Sequence, residues 1–429
     1  MEVKETVIRL MTRLAVEHGA VNLSQGFTDE APSYDMVWGA IAASLGGTAD
    51  GELRLASMTV REAFEQAGSP NDLDLPVRDL LAALQNPRDQ FNQYSFPFGM
   101  PELRRAIAGY TERTLGVRPD EEAEITVVLG ASEGMAAVLR ALFEPGDEVV
   151  VVQPFHEIYP AQLEIFGLVP RFVTLHEDAT AGHWALDVDR LDALAREPAV
   201  KGLVFNAPHN PTGKVFDHDE LRAIARVCVE SGLWVVTDEI YEHMVFDELR
   251  HRSLRTVDGM AERTALVNSI SKTGRATGWR VGWVITPAEV TGKVRAIHDN
   301  LAVQAPSPLQ RGAIKLLEQP PAFFEAIAGH YAAKRQRLLA GLAAVGFRMT
   351  APQGAYYLFA DYTGVEALAG MSPTQAAMHL VREVGVACVP GDNFYREGDD
   401  GRRYLRFAFC RGDETLAEGA ARLARLNGR

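Results

Sequence analysis

From about residue 125 the chain alternates short runs of β-branched residues with helix-length amphipathic segments, and this alternation constrains the fold more than any other feature. The expected strands are ITVVLG (125–130), DEVVVVQP (147–154), RFVTLH (171–176), KGLVFNAP (201–208), WVVTDEI (234–240), TALVNSIS (264–271) and WRVGWVIT (279–286). Helical segments such as 132–143 and 218–232 lie between most of them, and the second closes on Gly232, a residue that helix ends favour. The sequence therefore predicts an α/β fold with a mostly parallel, seven-stranded sheet covered by helices in its large domain.

A different pattern begins near residue 320. Residues 321–346 carry apolar positions at helical spacing, which predicts a long helix. Further strands are expected in GAYYLFADY (354–362), VGVACVP (384–390) and RYLRFAFC (403–410), before a closing helix in 414–426. We therefore expect a large domain over 90–320, a smaller α+β domain over 321–429, and an N-terminal arm over 1–45 that forms part of the smaller domain.

Charge and motif content exclude several classes of protein. The net charge of −14 has the wrong sign for gripping nucleic acid or an anionic membrane. The sequence contains no GxGxxG, GxxxxGK[ST] or HExxH pattern, so no metal site is expected. The three cysteines are widely spaced, which indicates a reducing cytoplasm rather than a disulfide framework. The charged start of the chain argues against a signal peptide, and no apolar run approaches the roughly 18 residues that span a bilayer.

The segment SISKTGRATGWRVGW (269–283) is the most informative. It places Lys272 directly after an apolar strand, in a turn rich in Ser, Thr and Gly, with Arg275 and Arg280 nearby. Only seven of the 43 basic residues are lysines, so this setting is conspicuous. Neighbouring cations disfavour an ammonium, and the neutral amine is a nucleophile.

Two further segments place polar groups at strand ends. In VVTDEIYEHM (235–244), Asp238 ends a strand and Tyr241 follows three residues later. In an open α/β sheet, a carboxylate at this end faces the crevice where ligands bind. Such a carboxylate can keep a ring nitrogen protonated, while a nearby phenol donates to a ring oxygen. In NAPHNPTG (206–213), a Pro-rich turn holds the amide of Asn210.

Together these segments resemble the class I and II aminotransferases, the pyridoxal 5′-phosphate enzymes of fold type I. The patterns NxPHNPTG, DxxY and SxSKxxxxxGxR occur in the family's order and separation, with Ala207 in a variable slot. The resemblance covers nearly the whole chain, since YLRFAF also matches through Arg406. NLSQGFTDE (22–30) and NQYSFPFG (92–99) are closest to the branch of kynurenine, glutamine and methionine aminotransferases. The resemblance to the class I and II aminotransferases implies a homodimeric enzyme that transfers the amino group of an L-amino acid to a 2-keto acid.

The resemblance also implies a role for each matching residue at the cofactor ring. Lys272 is expected to form the Schiff base with the cofactor and, once displaced, to move the α-proton. Asp238 is expected to pair with the pyridinium nitrogen, while Asn210 and Tyr241 contact the ring 3-oxygen. An aromatic ring is expected over the cofactor near QPFHEIY (153–159), where Phe155 and His156 remain equal candidates.

Other positions match the family's phosphate and substrate contacts. Phosphate ligands are expected at Gly130, Ala131, Ser132, Ser269 and Arg280, the first three at a helix N-terminus. Tyr94 matches a tyrosine that reaches the phosphate of the partner subunit, which implies shared active sites. Arg406 is expected to hold the substrate α-carboxylate with both prongs of its guanidinium, assisted by the backbone N–H of Gly26 and by Asn210. No second arginine can be assigned to a dicarboxylate substrate, which disfavours an aspartate-specific enzyme.

The stretch between Gly26 and Tyr94 is longer than that branch usually carries, and we expect an insertion within residues 30–70, near the substrate entrance. It either shapes or covers the pocket, or it is a surface decoration. This departure leaves a second reaction type open, a lyase or γ-elimination or substitution enzyme, for example on S-adenosylmethionine in specialised metabolite biosynthesis. A ligand-sensing domain is disfavoured because no DNA-binding module precedes the fold and the catalytic set is intact.

Overall fold

The computed structural model describes residues 5–72, 74–178 and 182–428, so residues 1–4 of the predicted arm lie outside the described part. All seven runs expected to form strands after residue 125 contain one. The strands are β1 (Val21–Asn22), β2 (Ile125–Val128), β3 (Glu148–Gln153), β4 (Val169–Asp178), β5 (His183–Leu186), β6 (Val200–Asn206), β7 (Trp234–Asp238), β8 (Thr264–Ser269), β9 (Gly282–Ile285), β10 (Tyr357–Asp361), β11 (Val386–Ala387), β12 (Val389–Pro390) and β13 (Tyr404–Ala408). The predicted α/β class is confirmed.

The described residues also form α-helices. They are α1 (Val7–Glu17), α2 (Tyr34–Gly46), α3 (Ala49–Ser57), α4 (Val60–Gln66), α5 (Val77–Leu84), α6 (Pro101–Leu115), α7 (Ala131–Leu142), α8 (Ile158–Ile165), α9 (Val188–Ala195), α10 (His218–Ser231), α11 (Ile270–Thr273), α12 (Ala288–Ala302), α13 (Ser307–Leu317), α14 (Pro321–Ala343), α15 (Pro373–His379) and α16 (Asp413–Leu423). The helix predicted to close on Gly232 is α10, which starts with a capping box of Asp217 and Glu220 and ends at Gly232 in the left-handed conformation. Among the described helices, none is both long and apolar enough to cross a bilayer.

Internal contacts divide the chain into two compact units. Unit 1 comprises residues 1–31, 138–267 and 320–429, and unit 2 comprises residues 32–137 and 268–319. The domain boundaries expected from the sequence stay a prediction.

Unit 1 contains a sheet in the order β8-β7-β6-β3-β4-β5. The first five strands run parallel, and β5 is antiparallel to β4 at the edge. The central strands are almost entirely buried, which explains their continuous apolar runs in place of alternation. In the register of β6 with β7, Asn206 is the neighbour of Asp238 at the carboxyl ends of both strands. Polar residues therefore lie where a parallel sheet presents its ligand-binding edge.

Unit 1 also contains an antiparallel sheet in the order β10-β13-β12. Its central strand, β13, carries Arg406, which pairs with Phe359 of β10 and Val389 of β12. The strand is buried along its whole length, so Arg406 projects from a fully covered backbone. A short parallel pair, β1 with β11, ties the N-terminal segment to this part of the unit.

Unit 2 is mainly helical and contains the antiparallel pair β2 and β9. The segment without strong periodicity before residue 90 forms four short helices, α2 to α5. They enclose a small core in which Trp38 and Leu45 pack against Leu55, Ala63 and Leu84. The individual helices are too short for their periodicity to stand out, and the small core comes from packing between them. Residues 30–70 thus contain folded helices, and their expected role at the substrate entrance stays a prediction.

Candidate active site

Asp238 ends β7 and is held by two sets of contacts. Its Oδ2 accepts a hydrogen bond of 2.8 Å from the hydroxyl of Tyr159, a buried residue of α8. Its backbone carbonyl accepts from the side-chain amide of Asn206 at 2.8 Å and from Ala207 N at 3.1 Å. Burial and the adjacent Asp238 carboxylate raise the pKa of Tyr159 well above its usual value, so Tyr159 stays a neutral donor. These contacts fix both the strand end and the carboxylate orientation.

Asn210 lies in the turn after β6 and is buried. Its backbone N–H donates to Asn206 Oδ1 at 2.7 Å, which anchors the turn to the strand end. Its own Oδ1 accepts a hydrogen bond of 3.0 Å from Arg406 Nη1. The same asparagine, Asn206, therefore holds the segments that carry Asp238 and Asn210.

Arg406 is 0% exposed, although it carries a full positive charge. Its Nη2 donates to Ser24 O at 2.9 Å, and its guanidinium carbon lies 4.2 Å from the ring centre of Tyr357 and 4.8 Å from that of Phe394. Its Nε has no hydrogen-bond partner, and none of the ion pairs in the described part of the chain involves it. Burying a charge without a counter-ion costs several kcal/mol. The site is therefore built for an anion supplied from outside, such as a carboxylate.

Tyr241 is buried three residues beyond Asp238, with its hydroxyl 3.2 Å from the hydroxyl of Tyr357. Its ring contacts Tyr356 edge-on, with 5.1 Å between ring centres. The Tyr356 hydroxyl donates to the carbonyl of Gly26 at 2.8 Å. A Cβ at Gly26 would collide with the Tyr357 hydroxyl, so only glycine fits there. Gly26, Tyr241 and Arg406 thus all lie next to Tyr357, a residue that the sequence did not single out.

Phe155 and His156 differ in their surroundings. Phe155 is 1% exposed, and its ring packs against Phe172 of β4 at 5.5 Å between centres. His156 is half-buried, its Nδ1 accepts from Ile158 N at 3.3 Å, and its ring lies 5.7 Å from that of Tyr159. Phe155 therefore belongs to the core, whereas His156 lies beside the tyrosine that holds Asp238.

In unit 2, Lys272 is the third residue of the short helix α11 and is half-buried. Ser269 caps this helix by accepting a hydrogen bond of 3.3 Å from Ser271 N with its Oγ. The Oγ of Ser271 is buried and has no hydrogen-bond partner within the described residues. A buried unpaired hydroxyl is costly, so this atom indicates a polar ligand beside the lysine-bearing turn.

The other polar cluster of unit 2 forms where β2 meets α7. Gly130 has φ of +77°, and Ala131 and Ser132 are the first residues of α7. A Cβ at Gly130 would collide with the guanidinium of Arg280. Burial lowers the pKa of Arg280, whose Nη1 donates to Thr277 O at 3.0 Å, and no ion pair within the described ranges contains this arginine. A partly buried cation next to a helix N-terminus is suited to an anion such as a phosphate.

Tyr94 is 82% exposed. The backbone around it is nevertheless fixed, because Ser95 N donates to Gln304 Oε1 at 2.6 Å and Met100 N donates to Gln310 Oε1 at 2.9 Å. Tyr94 is thus an exposed side chain on a loop whose backbone is fixed by hydrogen bonds to Gln304 and Gln310.

The structure brings several predicted residues into contact within each unit, namely Asn210 with Arg406 and Gly130 with Arg280. Sequence reasoning missed Tyr159, Tyr357 and Asn206. Tyr159 ends the segment QPFHEIY and Asn206 begins NAPHNPTG, so both residues lie within motifs that the sequence already singled out. Tyr357 gave no signal beyond a strand pattern, because its role depends on pairing between β10 and β13.

Comparison with known proteins gives a consistent result. The family model described as aminotransferase class I and II matches residues 67–423. A probable N-succinyldiaminopimelate aminotransferase of Mycobacterium tuberculosis is 35% identical, with 98% of this chain and 96% of the relative covered. A kynurenine–oxoglutarate transaminase of Dictyostelium discoideum is 33% identical over 78% of this chain and 84% of its own length.

Solved structures agree with these relatives. The N-succinyldiaminopimelate aminotransferase structure from Mycobacterium tuberculosis superposes with a TM-score of 0.85 at 35% identity, covering 99% of this chain and 100% of that one.

Proposed function

Because the chain belongs to the class I and II aminotransferases, which depend on pyridoxal 5′-phosphate, we propose that Lys272 is its amine nucleophile and its base at the substrate α-carbon. The family, the fold type and the transferase activity expected from the motifs are confirmed. The chain is a pyridoxal-phosphate-dependent aminotransferase that moves an amino group from an amino acid to a keto acid. No finding favours the lyase or γ-substitution alternative.

The observation that carries the assignment of the site is the buried, uncompensated guanidinium of Arg406. A planar fork with free hydrogen-bonding capacity suits an α-carboxylate, which all amino acid and 2-keto acid substrates share. Asn210 accepts a hydrogen bond from Arg406. Because the asparagine side chain is neutral, this contact orients the guanidinium without neutralising its charge. Arg406 thus binds the group common to donor and acceptor and orients the α-carbon.

The residues of unit 2 fit the phosphate end of the cofactor. Arg280 supplies a cation, the first turn of α7 supplies backbone N–H groups, and the orphan Oγ of Ser271 supplies a further polar atom. Gly130 leaves the space that Arg280 fills. We assign Gly130, Ala131, Ser132, Ser269 and Arg280 to the phosphate, because this set offers donors and one positive charge.

The residues of unit 1 fit the ring. When bound, pyridoxal 5′-phosphate supplies an aldehyde that takes the amino group and a ring that withdraws electrons from the α-carbon. Asp238 would hold a proton at the ring nitrogen, with its carboxylate oriented by Tyr159. Tyr241 and Asn210 would bind the ring 3-oxygen. His156 would cover the ring, since Phe155 packs in the core.

Lys272 acts twice in this proposal. Its amine would hold the cofactor at the aldehyde carbon, whose oxygen leaves as water, and as a free amine Lys272 would take the proton from the substrate α-carbon and give it back. The short helix α11 fixes its backbone through the Ser269 cap.

We predict that Gly130→Ala weakens cofactor binding by tenfold or more, because its methyl group must displace Arg280. The matched control is Gly116→Ala, which has φ of +74° but no neighbouring atom within 4 Å of its Cβ. Both variants carry the backbone strain of a left-handed alanine, about 1 kcal/mol. Only Gly130→Ala is expected to raise the dissociation constant in a titration of the apoenzyme with pyridoxal 5′-phosphate. Equal dissociation constants for the two variants would remove Arg280 and Gly130 from the phosphate site.

The activity is tested by mixing loaded enzyme with single amino acids and no keto acid. The panel includes N-succinyldiaminopimelate and kynurenine, the compounds in the relatives' names. Amino transfer predicts one equivalent of keto acid per active site together with pyridoxamine 5′-phosphate. Release of ammonia or a sulfur compound, with no pyridoxamine form for any amino acid, would support the lyase alternative instead.

We also propose a cytoplasmic homodimer in which Tyr94 reaches the partner's phosphate. Support comes from the exposed Tyr94 side chain on its held loop and from three buried free cysteines, which suit a reducing compartment. Sedimentation of the purified enzyme tests the dimer. Mixing Tyr94→Phe with Lys272→Ala subunits should restore activity through one intact site per mixed dimer, whereas strictly separate sites would restore none.

A further inference from the structure

We propose that Tyr357 is a positioning residue with two separable parts, a hydroxyl that acts on Tyr241 and a ring that supports Arg406. This inference rests on the proposed roles of Tyr241 at the ring 3-oxygen and of Arg406 at the substrate carboxylate. Tyr357 itself lies in β10 and is 3% exposed. It would therefore link the cofactor contact to the substrate contact through one rigid side chain.

The contacts of Tyr357 lie on two sides. Its hydroxyl is 3.2 Å from that of Tyr241, and its ring centre is 4.2 Å from the guanidinium carbon of Arg406. Tyr357 is paired with Ala408 across the sheet, so backbone pairing of β10 with β13 fixes the distance from Tyr357 to Arg406. The missing side chain at Gly26 leaves room for the hydroxyl. The position of this phenol is thus set by three independent parts of the chain.

Both phenols are neutral donors near neutral pH. Burial raises the pKa of Tyr241 well above its usual value, and burial also raises that of Tyr357, which Arg406 partly offsets. The other ionisable groups that interact with the pair include Asp238, Tyr159, Tyr356 and Cys410. When Tyr241 gives its hydrogen to the ring oxygen, Tyr357 must be the donor in the 3.2 Å hydrogen bond between the two hydroxyls, because a hydroxyl carries a single hydrogen.

A donor to Tyr241 makes Tyr241 a stronger donor in turn, because hydrogen bonds in a chain polarise one another. The ring oxygen is thereby stabilised in its anionic form, which lowers the pH at which the bound chromophore loses its proton. The ring of Tyr357 acts separately, since an aromatic face attracts and orients a guanidinium.

The test compares Tyr357→Phe, which removes only the hydroxyl, with Tyr357→Leu, which also removes the aromatic face. In Tyr357→Phe, the midpoint of the pH titration of the cofactor's visible absorption should rise by about 0.3 to 1 pH unit, the range of one neutral hydrogen bond. kcat should fall about two- to tenfold with KM nearly unchanged. In Tyr357→Leu, the dissociation constant of 3-phenylpropionate, an unreactive carboxylate, should also rise several-fold.

A Tyr241→Phe background and Tyr362→Phe provide the controls. Tyr362 also has a buried, hydrogen-bonded hydroxyl, which donates to Met371 O at 2.7 Å and lies 3.1 Å from Arg402 O. Tyr362→Phe should therefore leave the midpoint unchanged. With Tyr241→Phe in place, adding Tyr357→Phe should produce no further shift. An unshifted midpoint in Tyr357→Phe, or a full shift in the Tyr241→Phe background, would overturn the proposal. Failure of the proposed role of Tyr241 would be seen separately, as an unshifted midpoint in Tyr241→Phe alone.

Discussion

Lys272→Ala is expected to abolish amino transfer, lowering kcat by about 10⁴-fold or more, because one side chain supplies both a nucleophile and a proton carrier. The variant is also expected to lack the visible absorption of the wild-type enzyme, since Lys272 is the amine that we assign to the cofactor's aldehyde.

The surroundings of the other lysines support this assignment. Lys214 and Lys334 are buried in ion pairs with Glu220 and Glu30, so both amines already have a carboxylate partner. Lys201 and Lys293 are exposed, and neither lies in a turn rich in polar ligands. Lys272 alone, among the lysines of the described ranges, lies beside a capped turn with a buried unpaired hydroxyl.

The measurement combines spectroscopy with chemical trapping. Reduction of the loaded enzyme with borohydride, followed by digestion and mass spectrometry, should place the added cofactor mass on the peptide that contains Lys272. Lys293→Ala serves as the matched control and should keep both absorption and activity. Label on a different lysine, or activity of Lys272→Ala within tenfold of the wild type, would contradict the assignment.

The fold was predictable where a pattern within a single segment reports its environment. Continuous Val-rich runs predicted the buried strands β3 and β6, and the end of α10 followed from Gly232. The helices before residue 90 were not predictable in this way. Three of the four have at most nine residues, and their small core joins side chains from separate helices, such as Trp38 and Leu84.

In the candidate site, too, residues within one motif were predictable from the sequence, whereas residues that act through contacts between distant segments were not. Residues in compact motifs, such as Asp238 and Lys272, could be named from the sequence because their chemistry is tied to a strand end or a turn. Tyr357 could not, since its contacts with Tyr241 and Arg406 bring together positions 116 and 49 residues apart in the chain. Our proposal of His156 in place of Phe155 also depends on the structure, because the packing of Phe172 against Phe155 distinguishes the two adjacent rings.

The second large effect is expected at Arg406, whose electrostatics differ from those of Arg335, another buried arginine. Arg335 has a side chain that is 3% exposed and forms two short bonds with the carboxylate of Asp247, at 2.6 and 2.7 Å. That contact lowers the pKa of Asp247. Arg406 is equally buried, but its hydrogen bonds within the described chain go only to neutral groups, Asn210 Oδ1 and Ser24 O. Its charge is therefore left for a ligand.

Arg406→Lys keeps the charge but removes the planar fork, so it should lower kcat/KM about 30- to 1,000-fold, as expected for disrupting a buried, hydrogen-bonded charge pair. Most of the loss should appear in KM for both the amino acid and the keto acid, because both present the same carboxylate. The cofactor's absorption should be unchanged, which separates this variant from Lys272→Ala.

Arg335→Lys is the matched control, since it makes the same chemical change at a buried arginine with its own carboxylate partner. It should lower the thermal unfolding temperature and leave KM near the wild-type value. A carboxylate ligand such as 3-phenylpropionate should stabilise wild-type and Arg335→Lys enzyme against unfolding, but not Arg406→Lys, because a ligand stabilises only the protein that binds it. Equal stabilisation of all three proteins would mean that the carboxylate binds elsewhere. Arg406 would then be a buried structural cation whose missing counter-ion has another explanation.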